Sequence, residues 1–318
     1  MGTRLASFTE AGKIATFITL IAAAVLISGC SKGQNVVGGS TPTPTPTPTP
    51  AAARMLVSDN SSGTINVVNA QTDVVTHTIA VPSPGKMVSA GGTTLIQSTI
   101  ASTLTIFDNA TEAIRFSMTL PAQPVDIAIT PDGQTGWVAE NNGTVQSIST
   151  ATGTVSATFT VAGVQRLAIG PQGTTILAFN DTLANNFTVI VPGGSAPIGN
   201  IGLDHPTNAF FLGDDNHFTV ADCGAECAGT QANVADVSLN NIGGPAVSAP
   251  LSLSGATEVL ATSAEEFVAG SPATGLNAGT LQVVSRATFT AGTPFNIADG
   301  RHDQIALTSN GRLYVGST

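Results

Sequence analysis

Residues 125–161 decide the fold. Val125-Asp126-Ile127-Ala128-Ile129-Thr130 alternates and stops at Pro131-Asp132-Gly133. Gly136-Trp137-Val138-Ala139-Glu140 follows and stops at Asn141-Asn142-Gly143, and Thr144-Val145-Gln146-Ser147-Ile148-Ser149 ends near Thr152-Gly153. Thr154 to Val161 makes a fourth run. Side chains on a strand point alternately to its two faces, so each run reads as a half-buried strand. Gly, Asn, Asp and Pro between the runs supply tight reversals, and the four together predict an antiparallel four-stranded sheet.

The order returns along the chain with a period of about 40 residues. Stretches comparable to Val125–Thr130 begin at Lys86, Arg166, Asn208, Glu258 and Gln304. Stretches comparable to Trp137–Glu140 occur at 55–58, 94–97, 176–179, 217–220, 267–270 and 313–315. No segment carries the caps and period of an ordinary helix. Repeated four-stranded sheets of this length predict an all-β fold, a single β-propeller of antiparallel blades over residues 54–318. Closure is expected by joining the N- and C-terminal strands, since an open ring leaves strand edges bare.

Met55-Leu56-Val57-Ser58-Asp59-Asn60 and Gly63-Thr64-Ile65-Asn66-Val67-Val68-Asn69 resemble the YVTN repeat of lactonase-like β-propellers. Val125–Gly133 is similar to that family's inner strand and its Ser-Pro-Asp-Gly turn. The resemblance spans the domain and weakens after about residue 180, where loops lengthen. It implies a fold and no single activity. Six inner stretches favour six blades, whereas the resemblance favours seven.

The front of the chain is different. Arg4 and Lys13 precede an uncharged run from Ile14 to Ile27, which is 14 residues long. That is short of the roughly 20 residues a spanning helix needs, and it fits a secretion signal over residues 1–29. Ile27-Ser28-Gly29-Cys30 resembles the lipobox of bacterial lipoproteins, which implies cleavage before Cys30 and acylation of its thiol and freed amine. The partner so implied is the lipid bilayer, because two or more acyl chains anchor stably. An uncleaved anchor, or a secreted protein with an incidental cysteine, is the rival explanation. Ser31 points to the outer membrane of the bacterial envelope rather than the inner, under the enterobacterial sorting convention. Thr and Pro alternate from Thr41 to Pro50. Proline fixes φ and removes a donor, so residues 30–53 are expected to form a polyproline II stalk, its ten-residue tract about 30 Å long.

Of 318 residues, 9% are charged, so Ser, Thr, Asn and Gly must cover much of the surface. The net charge is −10 and nothing basic clusters in the domain, which leaves no electrostatic footprint for nucleic acid. Cys223 and Cys227 are expected to form a disulfide in a secreted chain. A metal or redox site there lacks further ligands. Asp126, Asp204, His205, Glu258, His302 and Asp303 lie near the starts of inner stretches and are the candidate ligand-face residues. Turn residues satisfying backbone amides explain the same set. Trp137 and Tyr314 hold equivalent places in the repeat and are expected to pack between blades, while Phe210, Phe211 and Phe267 are expected in the core. No nucleophile elbow, phosphate loop or calcium loop is present, and no catalytic residue, metal or cofactor is assigned. The expectation is a monomeric, non-catalytic binding or scaffold module for a protein or an envelope polysaccharide. Two rivals stand beside it: a propeller-type metal-dependent hydrolase or lactonase, and a structural component of the envelope or surface layer.

Overall fold

The computed structural model describes residues 53–180, 186–199, 202–239, 245–272, 279–298, 300, 302, 304–308 and 311–316. The secretion segment, Cys30, the Thr-Pro tract and Asp303 lie outside the described residues.

The described residues form seven antiparallel sheets, each running in chain order from one edge to the other. The first holds β1 (Arg54–Asp59), β2 (Thr64–Asn69) and β3 (Val74–Ala80). The second holds β4 (Pro84–Ala90), β5 (Thr93–Ser98), β6 (Thr103–Asp108) and β7 (Ala113–Thr119). The third is the diagnostic stretch, with β8 (Pro124–Ile129), β9 (Thr135–Glu140), β10 (Thr144–Ser149) and β11 (Thr154–Thr160). The fourth comprises β12 (Arg166–Ile169), β13 (Ile176–Phe179), β14 (Asn186–Val191) and β15 (Gly194–Gly199).

The fifth and sixth sheets break their outer strand in two. In the fifth, β16 (Pro206–Phe211), β17 (His217–Asp222) and β18 (Asn233–Ser238) are edged by β19 (Ala246–Val247) and β20 (Leu251–Ser252), both paired to β18. In the sixth, β21 (Glu258–Ala261), β22 (Glu265–Gly270) and β23 (Thr280–Ser285) are edged by β24 (Thr290–Ala291) and β25 (Phe295–Asn296), both paired to β23. The seventh has only β26 (Gln304–Leu307) and β27 (Leu313–Gly316). A single short 3-10 turn, Gly224–Cys227, is the sole helical element among the described residues. The fold is all-β.

The turns do what their residues predict. Gly133 adopts φ 73°, and its amide donates to Thr130 O at 2.8 Å. Thr130 Oγ1 donates to Asp132 Oδ1 at 2.6 Å, and the Gln134 amide donates to the same oxygen at 3.0 Å. These bonds hold the Asp132 carboxyl below its usual range. Gly133 also meets the second sheet, because a Cβ there would lie 2.4 Å from Ala90 O. Glycine is required on both counts.

The core is divided between successive sheets. Ile65, Val67 and Phe107 pack between the first and second, and Leu95, Ile106 and Val138 between the second and third. Val145, Ile176 and Ile190 join the third to the fourth. Between the fourth and fifth, Phe187 lies 5.4 Å from Phe179 and 5.8 Å from Phe218, ring centre to ring centre. Val234, Val259 and Val268 join the fifth to the sixth. Each fully buried Phe or Ile contributes roughly 1.5–3 kcal/mol of transfer free energy. Asp215 adds a polar staple: its carboxylate accepts from the amides of Gln172, Thr174 and Thr175 at 2.7, 2.7 and 3.0 Å.

Tyr314 departs from the sequence expectation. It is 56% exposed, where Trp137 stacks on Phe159 at 6.0 Å. The two-stranded seventh sheet provides no neighbouring face for the ring. Met55 and Val57 on β1 and Leu307 on β26 are exposed in the same way. No strand pairing joins the first and seventh sheets among the described residues, so closure of the ring is not observed.

Candidate functional site

The first strand of each sheet from the second to the seventh carries a polar residue near its start, third in β4, β8 and β16 and first in β12, β21 and β26. These are Lys86 on β4, Asp126 on β8, Arg166 on β12, Asn208 on β16, Glu258 on β21 and Gln304 on β26. In β4, β8 and β16 the register slips at this point, after Pro84, Pro124 and Pro206. A bulge of this kind bends the strand and re-aims a side chain. All six residues line one cavity of about 1170 Å³.

Within the cavity the charges are paired. Lys86 Nζ lies 2.5 Å from Asp126 Oδ1. Asp126 is 5% exposed and also accepts from the amides of Ile127 at 2.9 Å and Leu167 at 2.7 Å. Its carboxylate therefore fastens the third sheet to both neighbours. Arg166 Nη1 donates to Glu258 Oε2 at 3.0 Å and to Thr257 O at 3.4 Å. The Asn208 amide donates to the same Glu258 oxygen, and Asn208 Oδ1 accepts from the Ala209 amide at 2.7 Å. Burial drives the Glu258 carboxyl up to about 7, against the opposing pull of Arg166, the Asn208 bond and Lys86. Asp126 pushes in the same direction as burial. Gln97 lines the same cavity, and its Oε1 is buried without a partner.

The other sequence candidates serve backbone. Asp222, at the end of β17, accepts from the amides of Asp204 at 2.7 Å and His205 at 2.5 Å. Asp204 in turn accepts from the Thr230 amide and from Thr230 Oγ1, and these bonds hold its carboxyl below the usual range. His205 Nδ1 sits 3.3 Å from Asp204 Oδ1 but makes no hydrogen bond there. The loop is closed beyond by the Cys223–Cys227 disulfide, whose Cα atoms are 5.7 Å apart. His302 is fully buried; its Nε2 donates to Ala298 O at 2.8 Å and its carbonyl accepts from Thr257 Oγ1 at 3.0 Å. Asp126 and Glu258 are thus brought together in the cavity, while Asp204, His205 and His302 are not.

Lys86, Arg166, Asn208 and Gln304 were not among the candidates, although a signal for them existed. Each opens an inner stretch, so superposing the stretches on their first residue, with the Val125 stretch moved by one position, displays the whole ring. Reading acidic and histidine residues alone hides the cations and amides that complete it.

A second buried cluster lies between the fifth and sixth sheets. Arg286 Nη1 donates to Glu266 Oε1 at 2.7 Å, and Thr219 Oγ1 donates to Glu266 Oε2 at 3.3 Å. Burial, then the neighbouring Asp236, pushes the fully buried Glu266 carboxyl up to about 7. Among the described residues no group of three or more His, Cys, Asp or Glu side chains is placed to hold one metal ion.

No protein-family model and no curated protein matches the chain. Solved structures do. The hydrazine synthase of Kuenenia stuttgartiensis matches 88% of this chain and 77% of its own at 17% identity and a TM-score of 0.52. The dihydro-heme d1 dehydrogenase NirN in complex with DHE matches 82% of this chain at 10% identity and a TM-score of 0.65, and this chain spans 57% of it. A functionally unknown protein from Desulfotomaculum acetoxidans matches 82% of this chain and 88% of its own at 16% identity and a TM-score of 0.62. The fold is propeller-like. Identities at this level show the fold alone.

Proposed function

We propose that this chain is a lipid-anchored β-propeller of the bacterial envelope that binds a ligand in the cavity formed by its inner strands. The observation that carries the reading is the ring of Lys86, Asp126, Arg166, Asn208, Glu258 and Gln304, one residue from each of six successive sheets, around one cavity. Concave sites with a few convergent polar groups are where ligands bind in folds of this kind. Paired charges there fix orientation and exchange partners when a ligand arrives. The lipobox-like Ile27–Cys30 and the Thr-Pro stalk support the envelope address and a spacer that holds the domain off the membrane. In this reading the incomplete first and seventh sheets, with exposed Met55, Val57, Leu307 and Tyr314, complete the ring. The partner is an envelope polysaccharide or a protein that carries matching charges.

The test is co-sedimentation of the full chain, purified in detergent, with isolated envelope polysaccharide and with peptidoglycan sacculi. Wild-type protein should sediment saturably with one of them, and the Lys86→Met/Arg166→Met variant should stay in solution. Equal sedimentation of the two proteins would refute a role for the cavity. A second reading, a hydrolase that uses Glu258 for proton transfer, is favoured by the carboxyl's lift to about 7. About one equivalent of divalent ion retained by the full chain after dialysis without chelator would turn the preference toward it.

A further inference from the structure

The hydrogen-bonding capacity left over in the cavity is unequal. Asp126 already accepts from Lys86, Ile127 and Leu167. Arg166 is 12% exposed and spends Nη1 on Glu258 and Thr257; its other guanidinium N–H groups meet no acceptor among the described residues. Lys86 makes one bond, to Asp126, and keeps two N–H groups toward the cavity. Spare donors therefore come from two cations. Among the described residues that line the cavity, Gln97 Oε1 is a buried acceptor without a partner.

Glu258 already places one carboxylate oxygen, Oε2, on both Arg166 Nη1 and the Asn208 amide. The protein's own side chain thus shows what this pair of donors accepts, a carboxylate oxygen. From this geometry, and resting on the cavity being a binding site, we infer that the ligand is a hydroxylated carboxylate, such as an acidic sugar, whose carboxylate replaces that of Glu258 on Arg166 while a hydroxyl donates to Gln97. Glu258 takes up one proton as its partner leaves, so the net charge of the cavity is unchanged. No covalent bond forms or breaks.

The groups facing Glu258 make that exchange feasible. Arg166 comes from β12, Lys86 from β4 and Asp126 from β8, with the neutral amides of Asn208 on β16 and Gln304 on β26. The acids on β17 and β22 are engaged elsewhere, Asp222 with the Asp204 and His205 amides and Glu266 with Arg286. The free-state carboxyl releases its proton at about pH 7. Uptake of one proton on binding makes affinity fall as pH rises past that point, about tenfold between pH 6 and pH 8.

The experiment uses the lipid-anchored chain in detergent with its arginines labelled at 15Nε. Galacturonate is titrated against its neutral methyl ester at constant ionic strength, with acetate as a minimal carboxylate. Galacturonate should shift the Arg166 signal saturably and about tenfold more tightly at pH 6 than at pH 8, and the ester should leave it in place. Glu258→Gln, which copies the protonated side chain, should bind with the same affinity at both pH values. Arg166→Lys should abolish saturation while the other arginine signals stay put. An equal response to the ester would overturn the carboxylate assignment yet leave the cavity as a binding site. Silence to galacturonate and acetate alike would also overturn it, and the sedimentation assay decides the broader reading independently.

Discussion

Replacing Asp126 by alanine removes the most heavily used acceptor in the cavity. Three losses follow from its bonds. The Leu167 amide at the start of β12 loses a 2.7 Å bond from the neighbouring sheet, and an unsatisfied buried amide costs about 1–3 kcal/mol. The Ile127 amide loses a local bond of 2.9 Å, which adds about 1 kcal/mol. Lys86 loses its partner, but its side chain is 33% exposed and regains water, so this contribution is about 1 kcal/mol rather than the 3–5 of a fully buried pair. The total is about 3–5 kcal/mol. Urea unfolding of the full chain at pH 7 should show the midpoint falling accordingly with the slope unchanged. The melting temperature should drop by roughly 6–15 °C for a domain of this size. Asp126→Asn keeps an acceptor for one of the two backbone amides and should lose less than alanine does. A loss under about 1 kcal/mol for Asp126→Ala would refute the fastening role, and equal losses for Asn and Ala would show that charge, not backbone satisfaction, dominates.

Acidification from pH 8 to pH 5.5 should stabilise the protein. Glu258 and Glu266 hold protons up to about 7 when folded against a usual 4.5, so their contribution is fully present below 4.5 and is lost as pH rises through about 7. Each is worth about 3 kcal/mol at most. Asp59 and Asp108, lowered to about 2, act only in stronger acid. A melting temperature that is flat across this window, or unaltered in its slope by Glu266→Gln, would contradict the burial of these acids. Phe187→Ala, at a ring 1% exposed between Phe179 and Phe218, should cost about 3–5 kcal/mol by denaturant titration. A cost near 1 kcal/mol would mean the fourth and fifth sheets are loosely joined. Reduction of Cys223–Cys227 opens a short loop and should cost about 2 kcal/mol, read as a midpoint shift in dithiothreitol.

The sheets were legible because their signal is local. Alternation in Val125–Thr130 and Trp137–Glu140, with Pro131-Asp132-Gly133 between them, is written within a dozen residues and repeated. The broken outer strands of the fifth and sixth sheets lie where the repeat weakens after residue 180, because longer loops divide a strand without changing its pairing to β18 or β23. The cavity was half legible. Asp126 and Glu258 sat at comparable places, but Arg166 meets Glu258 across 92 positions of chain, and no local pattern announces such a contact. Asp204 and His205 illustrate the converse: polar residues at a loop crossing were drawn to the backbone by Asp222, not to a ligand.

The division of the core into clusters that each join one sheet to the next gives the domain the mechanics of a zipper. A disturbance in the core passes from each sheet to the next, so coupling decays link by link; the Arg166–Glu258 pair is the exception, since it ties the fourth sheet directly to the sixth. The third to fifth sheets are gripped from both sides by Val138, Ile176, Phe187 and Phe218, whereas β1 and β27 offer exposed faces. Fraying therefore starts at the terminal sheets and runs inward. Amide exchange should be slowest in β9, β13 and β17, which lie directly beneath the strands that carry Asp126, Arg166 and Asn208. The middle of the ring, where Asp126, Arg166 and Asn208 sit, is the last to come undone, while Gln304 on the terminal sheet is released early.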